Sequence, residues 1–338
     1  MMSKNDSITP LVQLEWDKAA ALISRGKRIA VLTHVQPDGD AIGSMLGLTL
    51  ALRQIGKEAT PVVDGGLPER FAFLPASHEI LSSVEDLEVD LIVSTDASDM
   101  KRLGNAGAGL RERGLPLVQL DHHQTNLLFG DANLVDARTA AAAEGVYDLL
   151  QYYNWPLTPE IAQCLLTGIV TDTLAFRTNS TTSALLGKAQ VLMETGADLP
   201  EIVQRTLATI PTALMRFNAI VMQRFQLEPE GVIWVTITLE DFKEAGLSFD
   251  TYVGLSGYMI QSEDAVISAT LKQLPEGGTD ISMRAVPGYN VAQIALSLGG
   301  GGHLLAAGCT LDMPLDEAVQ TLLPMLKAEA RRGEKLYT

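Results

Sequence analysis

The sequence predicts an α/β protein with two domains, and three observations lead to that prediction. The chain has 338 residues, 46% of them hydrophobic, and a single hydrophobic core seldom organises so long a chain. In its first half, short apolar segments alternate with helical or turn-rich ones, as in a parallel β-sheet flanked by helices. From about residue 210 a second pattern of strands and helices predicts a smaller C-terminal α+β domain.

The elements of the first half follow from the spacing of apolar residues. The predicted strands are Arg28–Thr33, Ala59–Val63, Leu91–Thr95 and Leu117–Leu120. The predicted helices are Leu11–Ser24, one beginning near Asp40, Ala140–Tyr153 and Thr181–Glu194. A further apolar segment, Ile161–Thr171, leads into Asp172.

The second half is interpreted in the same way. Leu199–Phe225 is predicted to be helical throughout and to bridge the two halves. The strand-like segments beyond it are Gly231–Thr238, Ala265–Leu274 and Asp280–Val286. The helix-like segments are Val291–Leu298 and Leu315–Arg331.

Charge and composition argue against several classes of function. The net charge of −16 argues against sequence-independent binding of long nucleic acid, which needs a continuous basic surface. Cys164 and Cys309 are too far apart in sequence to indicate a disulfide framework or a thiolate zinc site. Because we find neither a secretion signal nor an apolar run long enough to span a bilayer, we predict a cytoplasmic location and no membrane partner.

Polar residues follow the predicted strands, where ligands bind in parallel sheets. His34, Asp38 and Asp40 lie within seven residues on a turn that contains Pro37 and Gly39. Imidazole and carboxylate groups suit manganese, magnesium or related divalent ions. The alternative is that the aspartate is only the N-cap of the next helix.

Three further segments extend this pattern. Asp96 directly follows a strand and is either a ligand or a helix cap, with Asp99 the better candidate for the cap. In Asp121–His123, one histidine is expected to bind metal while the other faces elsewhere, since adjacent side chains do not easily converge. Asp172 lies in the segment Thr171–Thr173.

Together these motifs supply six oxygen and nitrogen ligands and no thiolate. They are His34, Asp38, Asp40, Asp96, His122 and Asp172. Six ligands are enough for two cations only if one carboxylate bridges them. Two metals about 3.5–4 Å apart can hold the attacking and leaving oxygens of a phosphoryl displacement and acidify a water, so the set predicts phosphoester hydrolysis.

A glycine run, Gly299–Gly302, precedes His303 in the second half. Glycines let backbone N–H groups turn toward an anion, and the histidine can add a donor. The run does not fit a dinucleotide-binding fingerprint, because the segment before it is predicted to be a helix rather than a strand.

Five segments resemble, in this order, the motifs of the DHH phosphoesterase family, and in particular its bacterial oligoribonuclease (nanoRNase) and 3′-phosphoadenosine-5′-phosphate phosphatase members. They are HVQPDGDAIGS, STDASDMKRLG, LDHHQTN, GIVTDTLAFR and GGGGHLLAAG. The resemblance covers nearly the whole chain. It implies a catalytic metal-binding domain at 1–195, a helical linker at 196–225 and a DHH-associated substrate-binding domain at 226–338.

The resemblance also implies individual roles. One metal is held by His34, Asp38 and Asp96, and the other by Asp40, Asp96, His122 and Asp172, with Asp96 as the bridge. The catalytic residues are Asp96, His123, which contacts the scissile phosphate, and Asp121, which supports it. The residues that hold the terminal phosphate or nucleotide are His123, Arg284, Gly300, Gly301, Gly302 and His303.

Two positions depart from the family pattern. Leu174 stands where relatives often have glycine, and Ala285 follows Arg284 where serine is usual. Leu174 is expected to reshape the pocket wall and with it the substrate preference. Arg102 and Asn126 fit family positions, although a capping or surface-pair role explains each equally well.

The function that the resemblance implies is a hydrolase with two divalent ions, Mn²⁺ first and Mg²⁺ or Co²⁺ as alternatives. Its expected partners are short RNA, dinucleotides and small nucleotide phosphates such as 3′-phosphoadenosine-5′-phosphate. The alternatives are a phosphodiesterase for cyclic di-AMP or pApA and a non-catalytic nucleotide-binding protein, while the GGGGH segment argues against an inorganic pyrophosphatase. Apolar N-terminal helices are compatible with a homodimer, and core packing explains them equally well.

Overall fold

The computed structural model describes residues 10–249, 251 and 253–334. The chain divides into two compact units, an N-terminal unit that ends at Thr209 and a C-terminal unit that begins at Ile210. This division lies inside the segment 196–225 that the sequence analysis assigns to a linker; the predicted domain limits themselves stay a prediction. No helix among the described residues combines the length and the apolar character needed to cross a membrane.

The N-terminal unit is built on a five-stranded parallel sheet with the strand order β2-β1-β3-β4-β5. Its strands are β1 Arg28–Leu32, β2 Glu58–Val62, β3 Leu91–Thr95, β4 Leu117–Asp121 and β5 Ala132–Val135. Side chains on both faces of the sheet are buried: Ile29 and Val31 belong to a larger core, and Ala30 and Leu32 to a smaller core. Sheets buried on both faces have strands that are apolar throughout, which explains the sequence pattern.

Seven α-helices flank this sheet in the described residues. They are α1 Pro10–Arg25, α2 Gly39–Gln54, α3 Gly104–Glu112, α4 Ala142–Tyr153, α5 Pro159–Asp172, α6 Ser183–Thr195 and α7 Leu199–Val203. Helices α1, α2, α4, α5 and α6 contribute to the larger core, whereas α3 covers the opposite face. The apolar segment before Asp172 is therefore a helix.

Helices α2 and α5 pack so closely that glycines are required where they meet. A Cβ atom on Gly43 would lie 2.5 Å from the carbonyl oxygen of Cys164, and one on Gly168 would lie 2.6 Å from Oδ1 of Asp40. Since Asp40 is a predicted metal ligand, this packing also fixes the position of one site residue.

The C-terminal unit has a six-stranded mixed sheet of order β10-β11-β9-β8-β7-β6, in which only β7 and β8 are parallel. The strands are β6 Gln226–Leu227, β7 Val232–Ile237, β8 Ile267–Gln273, β9 Thr279–Ala285, β10 Gly301–His303 and β11 Ala306–Leu311. The helices are α8 Thr212–Met222, α9 Leu239–Ala245, α10 Leu255–Met259, α11 Val291–Ser297 and α12 Leu315–Arg332. Helices α11 and α12 share one core with the sheet, and α8, α9 and α10 share the other.

The predicted fold class is confirmed, and one element is wrong. Leu199–Phe225 is not helical throughout, because α7 passes through a π-helical turn to Ala208 and the chain is then non-helical until α8 begins at Thr212. Pro211 explains the interruption, since proline lacks an N–H and disfavours helical backbone in the residue before it. The β10–β11 hairpin was not predicted, because its first strand lies in the glycine run.

Candidate metal centre

His34 follows β1 and is almost fully buried. Its Nδ1 donates a hydrogen bond to the backbone carbonyl of Val35 at 2.8 Å. Because a carbonyl can only accept, the proton of the neutral ring is on Nδ1, and Nε2 carries the lone pair that a metal needs. Nε2 lies 3.5 Å from Oδ2 of Asp96 and 3.9 Å from Oδ1 of Asp38.

Asp38 is the N-cap of α2. Its Oδ1 accepts hydrogen bonds from the backbone N–H groups of Asp40 and Ala41, both at 3.0 Å. Asp38 therefore does cap the helix, which is the alternative that the sequence left open. Capping does not prevent the carboxylate from binding a metal as well. The same carboxylate lies beside the His34 ring and can serve both purposes.

Asp40 lies in the first turn of α2 and is buried. Its two oxygens accept hydrogen bonds from the backbone N–H groups of Ala142, at 2.5 Å, and Ala143, at 2.9 Å. These amides begin α4, whose N-cap residue, Ala141, makes no side-chain capping bond. The carboxylate therefore occupies a helix N-terminus, which favours negative charge.

Asp96 lies at the centre of the cluster, directly after β3. Its backbone is left-handed, with φ of 53°, and its carboxylate is buried. Oδ2 faces His34, while Oδ1 lies 3.5 Å from Nε2 of His122 and 3.7 Å from Nδ1 of His123. Oδ1 has no hydrogen-bond partner. A buried carboxylate oxygen without a donor is costly, and a cation would satisfy it.

The two adjacent histidines occupy different surroundings after β4. Nε2 of His122 lies 3.4 Å from Asp172, 3.5 Å from Asp96 and 3.7 Å from Asp40. His123 instead donates from Nδ1 to Asp121 at 2.7 Å. Both rings nevertheless stay close, with centroids 4.8 Å apart.

Several neighbours hold these side chains in place. Asn126 donates from Nδ2 to the other oxygen of Asp121, so the carboxylate that orients His123 is itself held. Asp99 caps the short helix after Asp96, as predicted. The carbonyl of Arg102 accepts a hydrogen bond from the N–H of Val35 at 2.7 Å, which fixes the turn after His34.

The carboxylates are crowded enough to shift their pKa values. Burial, together with the charges of Asp96 and Asp172, raises the pKa of Asp40 well above its usual range. Burial likewise raises the pKa of Asp172 to about 7. Burial alone would also raise the pKa of Asp96, but the neighbouring imidazole groups of His122 and His34 outweigh it and lower that pKa.

The pKa values of the two histidines are shifted in the direction opposite to the effect of burial. Burial alone would lower the pKa of His122, but the nearby carboxylates of Asp96, Asp40 and Asp172 raise it to about 10. The pKa of His123 is also raised, because the hydrogen bond to Asp121 and the charges of Asp96 and Asp121 together outweigh burial. The cluster therefore needs positive charge, which divalent cations can supply in place of the His122 proton.

Among the described residues, three groups could hold a metal ion, with the ligand atoms of each group within 4.8 Å of one another. They are His34, Asp38 and Asp96; Asp40, His122 and Asp172; and Asp96, Asp121, His122 and His123. All six predicted ligands occur in these groups. Nitrogen and carboxylate oxygen without thiolate suit divalent ions such as Mn²⁺ or Mg²⁺.

In the C-terminal unit, Arg284 and His303 lie in one cross-strand row. Arg284 on β9 pairs with Ala306 on β11, which pairs with His303 on β10. Residues directly opposite in such a ladder share a face of the sheet. The guanidinium is oriented by hydrogen bonds from Nη1 to the carbonyl of Met283 at 2.8 Å and to Oγ of Ser282 at 3.4 Å.

The predicted anion-binding glycines have a packing role that the sequence analysis missed. A Cβ atom on Gly300 would lie 2.2 Å from the carbonyl oxygen of Gly308, and one on Gly302 would lie 2.5 Å from that of Ala306. Gly302 also has a φ of 137°. Gly301, in contrast, has open space around its Cβ position.

Comparisons with known proteins show which family the chain resembles. A model described as the N-terminal domain of the DHH family matches residues 28–169. A protein of Thermus thermophilus called bifunctional oligoribonuclease and PAP phosphatase NrnA is 38% identical over 308 residues, covering 90% of this chain and 91% of that protein. A Bacillus subtilis protein of the same name is 26% identical, and the match covers 86% of this chain and 91% of that protein.

A solved structure shares the fold. The exopolyphosphatase-related protein of Bacteroides fragilis superposes with a TM-score of 0.87 at 24% identity, over 96% of this chain and all of that one. At this level of sequence identity, the similarity shows that the two chains share a fold.

Proposed function

The chain belongs to the DHH family, and on that premise we propose that it is a metal-dependent phosphoesterase that hydrolyses short oligoribonucleotides and 3′-phosphoadenosine-5′-phosphate. The observation that carries the proposal is the Asp96 carboxylate. It is buried, one oxygen faces His34 and the other faces His122, and the latter oxygen has no hydrogen-bond donor. A carboxylate in this position is suited to bridge two cations.

We assign two ions to the cluster, with Mn²⁺ preferred and Mg²⁺ or Co²⁺ as substitutes. The first set of ligands is His34, Asp38 and Asp96, and the second is Asp40, Asp96, His122 and Asp172. When bound, the ions would neutralise phosphate charge and acidify a water. The histidine and carboxylate ligands support this choice.

His123 is assigned to the scissile phosphate. Asp121 accepts from its Nδ1 and Asn126 holds Asp121, so the imidazole ring has one preferred orientation. Because the pKa of His123 is raised, its ring carries a proton over a wider pH range and can donate to a phosphate oxygen. Asp121 thus acts through His123.

The C-terminal unit is assigned to the substrate's terminal phosphate or nucleotide, through Arg284, His303 and the Gly300–Gly302 segment. An arginine held by neighbouring acceptors is well suited to phosphate. With 25 basic against 41 acidic residues, the chain favours short substrates over long strands. The proposed setting is the cytoplasm.

Product analysis tests this proposal. With Mn²⁺, the protein should release mononucleotides from labelled di- to pentaribonucleotides and phosphate from 3′-phosphoadenosine-5′-phosphate. Asp96→Ala should lower turnover at least about 1,000-fold, because it removes the bridge. Asp99→Ala, which removes only a helix cap on the same loop, should stay within about threefold of the wild-type rate. Full turnover by the Asp96 variant would reject the bridging role.

The same assay separates the alternatives. Faster turnover of cyclic di-AMP than of pApA or 3′-phosphoadenosine-5′-phosphate would identify a cyclic-dinucleotide phosphodiesterase. Nucleotide binding by calorimetry, without product formation in the presence of Mn²⁺, would identify a non-catalytic binding protein.

A further inference from the structure

Three consecutive residues just beyond Asp172 have left-handed backbone. Leu174, Ala175 and Phe176 have φ angles of 49°, 59° and 63°. Left-handed backbone is unfavourable for residues with a Cβ atom, and it normally occurs at single positions. Elsewhere in the described part of the chain, the non-glycine residues with positive φ do occur singly.

Hydrogen bonds hold this turn against its strain. The buried hydroxyl of Thr173 donates to the carbonyl of Ile169 at 2.6 Å and accepts from the N–H of Phe176 at 3.0 Å. Arg177 donates from Nε to the carbonyl of Leu174 at 2.8 Å. The turn is therefore anchored to α5, and the direction of each side chain in it is set.

Packing accounts for two of the three residues but not for the first. Ala175 and Phe176 pack against the larger core, whereas the Leu174 side chain is 48% exposed. Two residues before it, the carboxylate of Asp172 lies 3.4 Å from Nε2 of His122. An aliphatic side chain is thus held in a strained backbone, half exposed, two residues after a carboxylate of the candidate metal centre.

We propose that Leu174 is a specificity-determining residue that contacts the nucleobase next to the scissile phosphate; this rests on the proposed phosphoesterase function. Strained backbone persists chiefly where function requires the residue. Glycine or asparagine adopts this conformation more readily, so the backbone alone does not call for leucine. In a short oligonucleotide the flat face of a base is the part that an aliphatic side chain recognises, since ribose and phosphate are polar.

Leu174→Gly and Leu174→Asn test this proposal by separating strain from recognition. Both variants relieve the left-handed strain, so the melting temperature in chelator should stay within about 1 °C of wild type or rise by up to about 3 °C. With Mn²⁺, KM for pApA should rise about five- to tenfold, through loss of the contact. An analogue of pApA in which the downstream nucleotide lacks its base should show no such rise.

Ala76→Gly is the matched control. Ala76 also has left-handed backbone, with φ of 61°. It follows Pro75, whose carbonyl accepts a hydrogen bond from Sγ of Cys164 in α5. Cys164 lies eight residues before Asp172, which is about 12 Å along the helix. This variant should relieve strain in the same way and keep wild-type kinetic constants.

Three results would overturn the proposal. One is an unchanged KM for pApA in both Leu174 variants, and another is an equal rise on the base-free analogue. The third is a melting temperature more than about 5 °C lower in both variants, which would make Leu174 a structural residue. If the wild-type protein hydrolyses no nucleotide, the proposed function fails and this inference with it, whereas normal wild-type turnover with unaffected variants rejects Leu174 alone.

Discussion

At the scale of single residues, Asp38 caps a helix and is also placed to bind a metal, two roles that the sequence presents as alternatives. Its Oδ1 caps α2 through two backbone N–H groups, and the same atom lies 3.9 Å from Nε2 of His34. Helix capping and metal binding need different side chains. Serine can cap a helix, but it is a much poorer metal ligand than a carboxylate. The two roles can therefore be separated by substitution.

We expect Asp38→Ser and Asp38→Ala to differ in stability but not in their loss of activity. Removal of an N-cap costs about 1 kcal/mol, which lowers the melting temperature by about 2–4 °C in a unit of this size. In chelator, the alanine variant should show this loss, while the serine variant should stay within about 1 °C of wild type. Both should lose Mn²⁺-dependent turnover. Equal melting temperatures would show that the cap contributes nothing.

The predicted ligand types were readable from the sequence because each follows an apolar strand or segment. The groups that hydrogen-bond to these side chains could not be predicted in the same way, because several of them are backbone atoms. The amides of Ala142 and Ala143 bind Asp40, and the carbonyl of Val35 orients His34. One signal was present: a helix that begins in a run of alanines without a capping side chain has free N–H groups to offer.

At the scale of elements, the contact between α2 and α5 determines the position of Asp40. Gly168 lies where a side chain would meet both Cβ of Ala143 and Oδ1 of Asp40, at 2.5 and 2.6 Å. Gly187 on α6, by contrast, has nothing within 4 Å of its Cβ position. The two glycines provide a matched pair, since both lie within helices but only one lies at a close contact.

We expect Gly168→Ala to destabilise the protein by about 1–3 kcal/mol, because the added methyl group forces apart well-packed groups. It should also weaken Mn²⁺ binding, measured by calorimetry, through displacement of Asp40. Gly187→Ala should instead raise stability by up to about 1 kcal/mol, as alanine is the better helix former, with unchanged Mn²⁺ affinity. Similar denaturation curves for the two variants would contradict the close-packing argument.

Elements were predicted well where a regular apolar pattern was uninterrupted. The strand β3 has the predicted limits, and β1, β2 and β4 differ from theirs by one residue. The glycine-rich α3 was missed, because glycine is a poor helix former and hides the pattern. The β10–β11 hairpin was missed for a related reason: its glycines are selected by close backbone contact rather than by strand propensity.

At the scale of the whole molecule, the cluster of aspartates and histidines makes stability depend on pH, and we expect bound metal to change that dependence. Above its unfolded pKa, Asp172 costs stability, because the folded state holds its pKa at about 7. His122 contributes stability that is complete below its unfolded pKa and lost as pH rises toward about 10. Both groups bind more protons in the folded state, so the free energy of unfolding falls as pH rises.

We therefore expect the melting temperature in chelator to fall steadily between about pH 6 and pH 9. With saturating Mn²⁺ the added stabilisation should instead grow over the same range, because metal binding releases the His122 proton. Differential scanning calorimetry measures both trends. His122→Asn, which cannot take up that proton, should flatten the chelator curve above about pH 7, and an unchanged slope in this variant would exclude His122 as its source.

The order of the strands has a consequence for how the protein acquires its activity. Strand β3 lies between β1 and β4, and the last ligand, Asp172, ends a helix that comes after all five strands. A chain leaving the ribosome cannot complete the cluster until residue 172 has emerged, after every strand of the sheet. We expect protein made without divalent metal to fold in an inert form and to become active when the metal is supplied, without new synthesis.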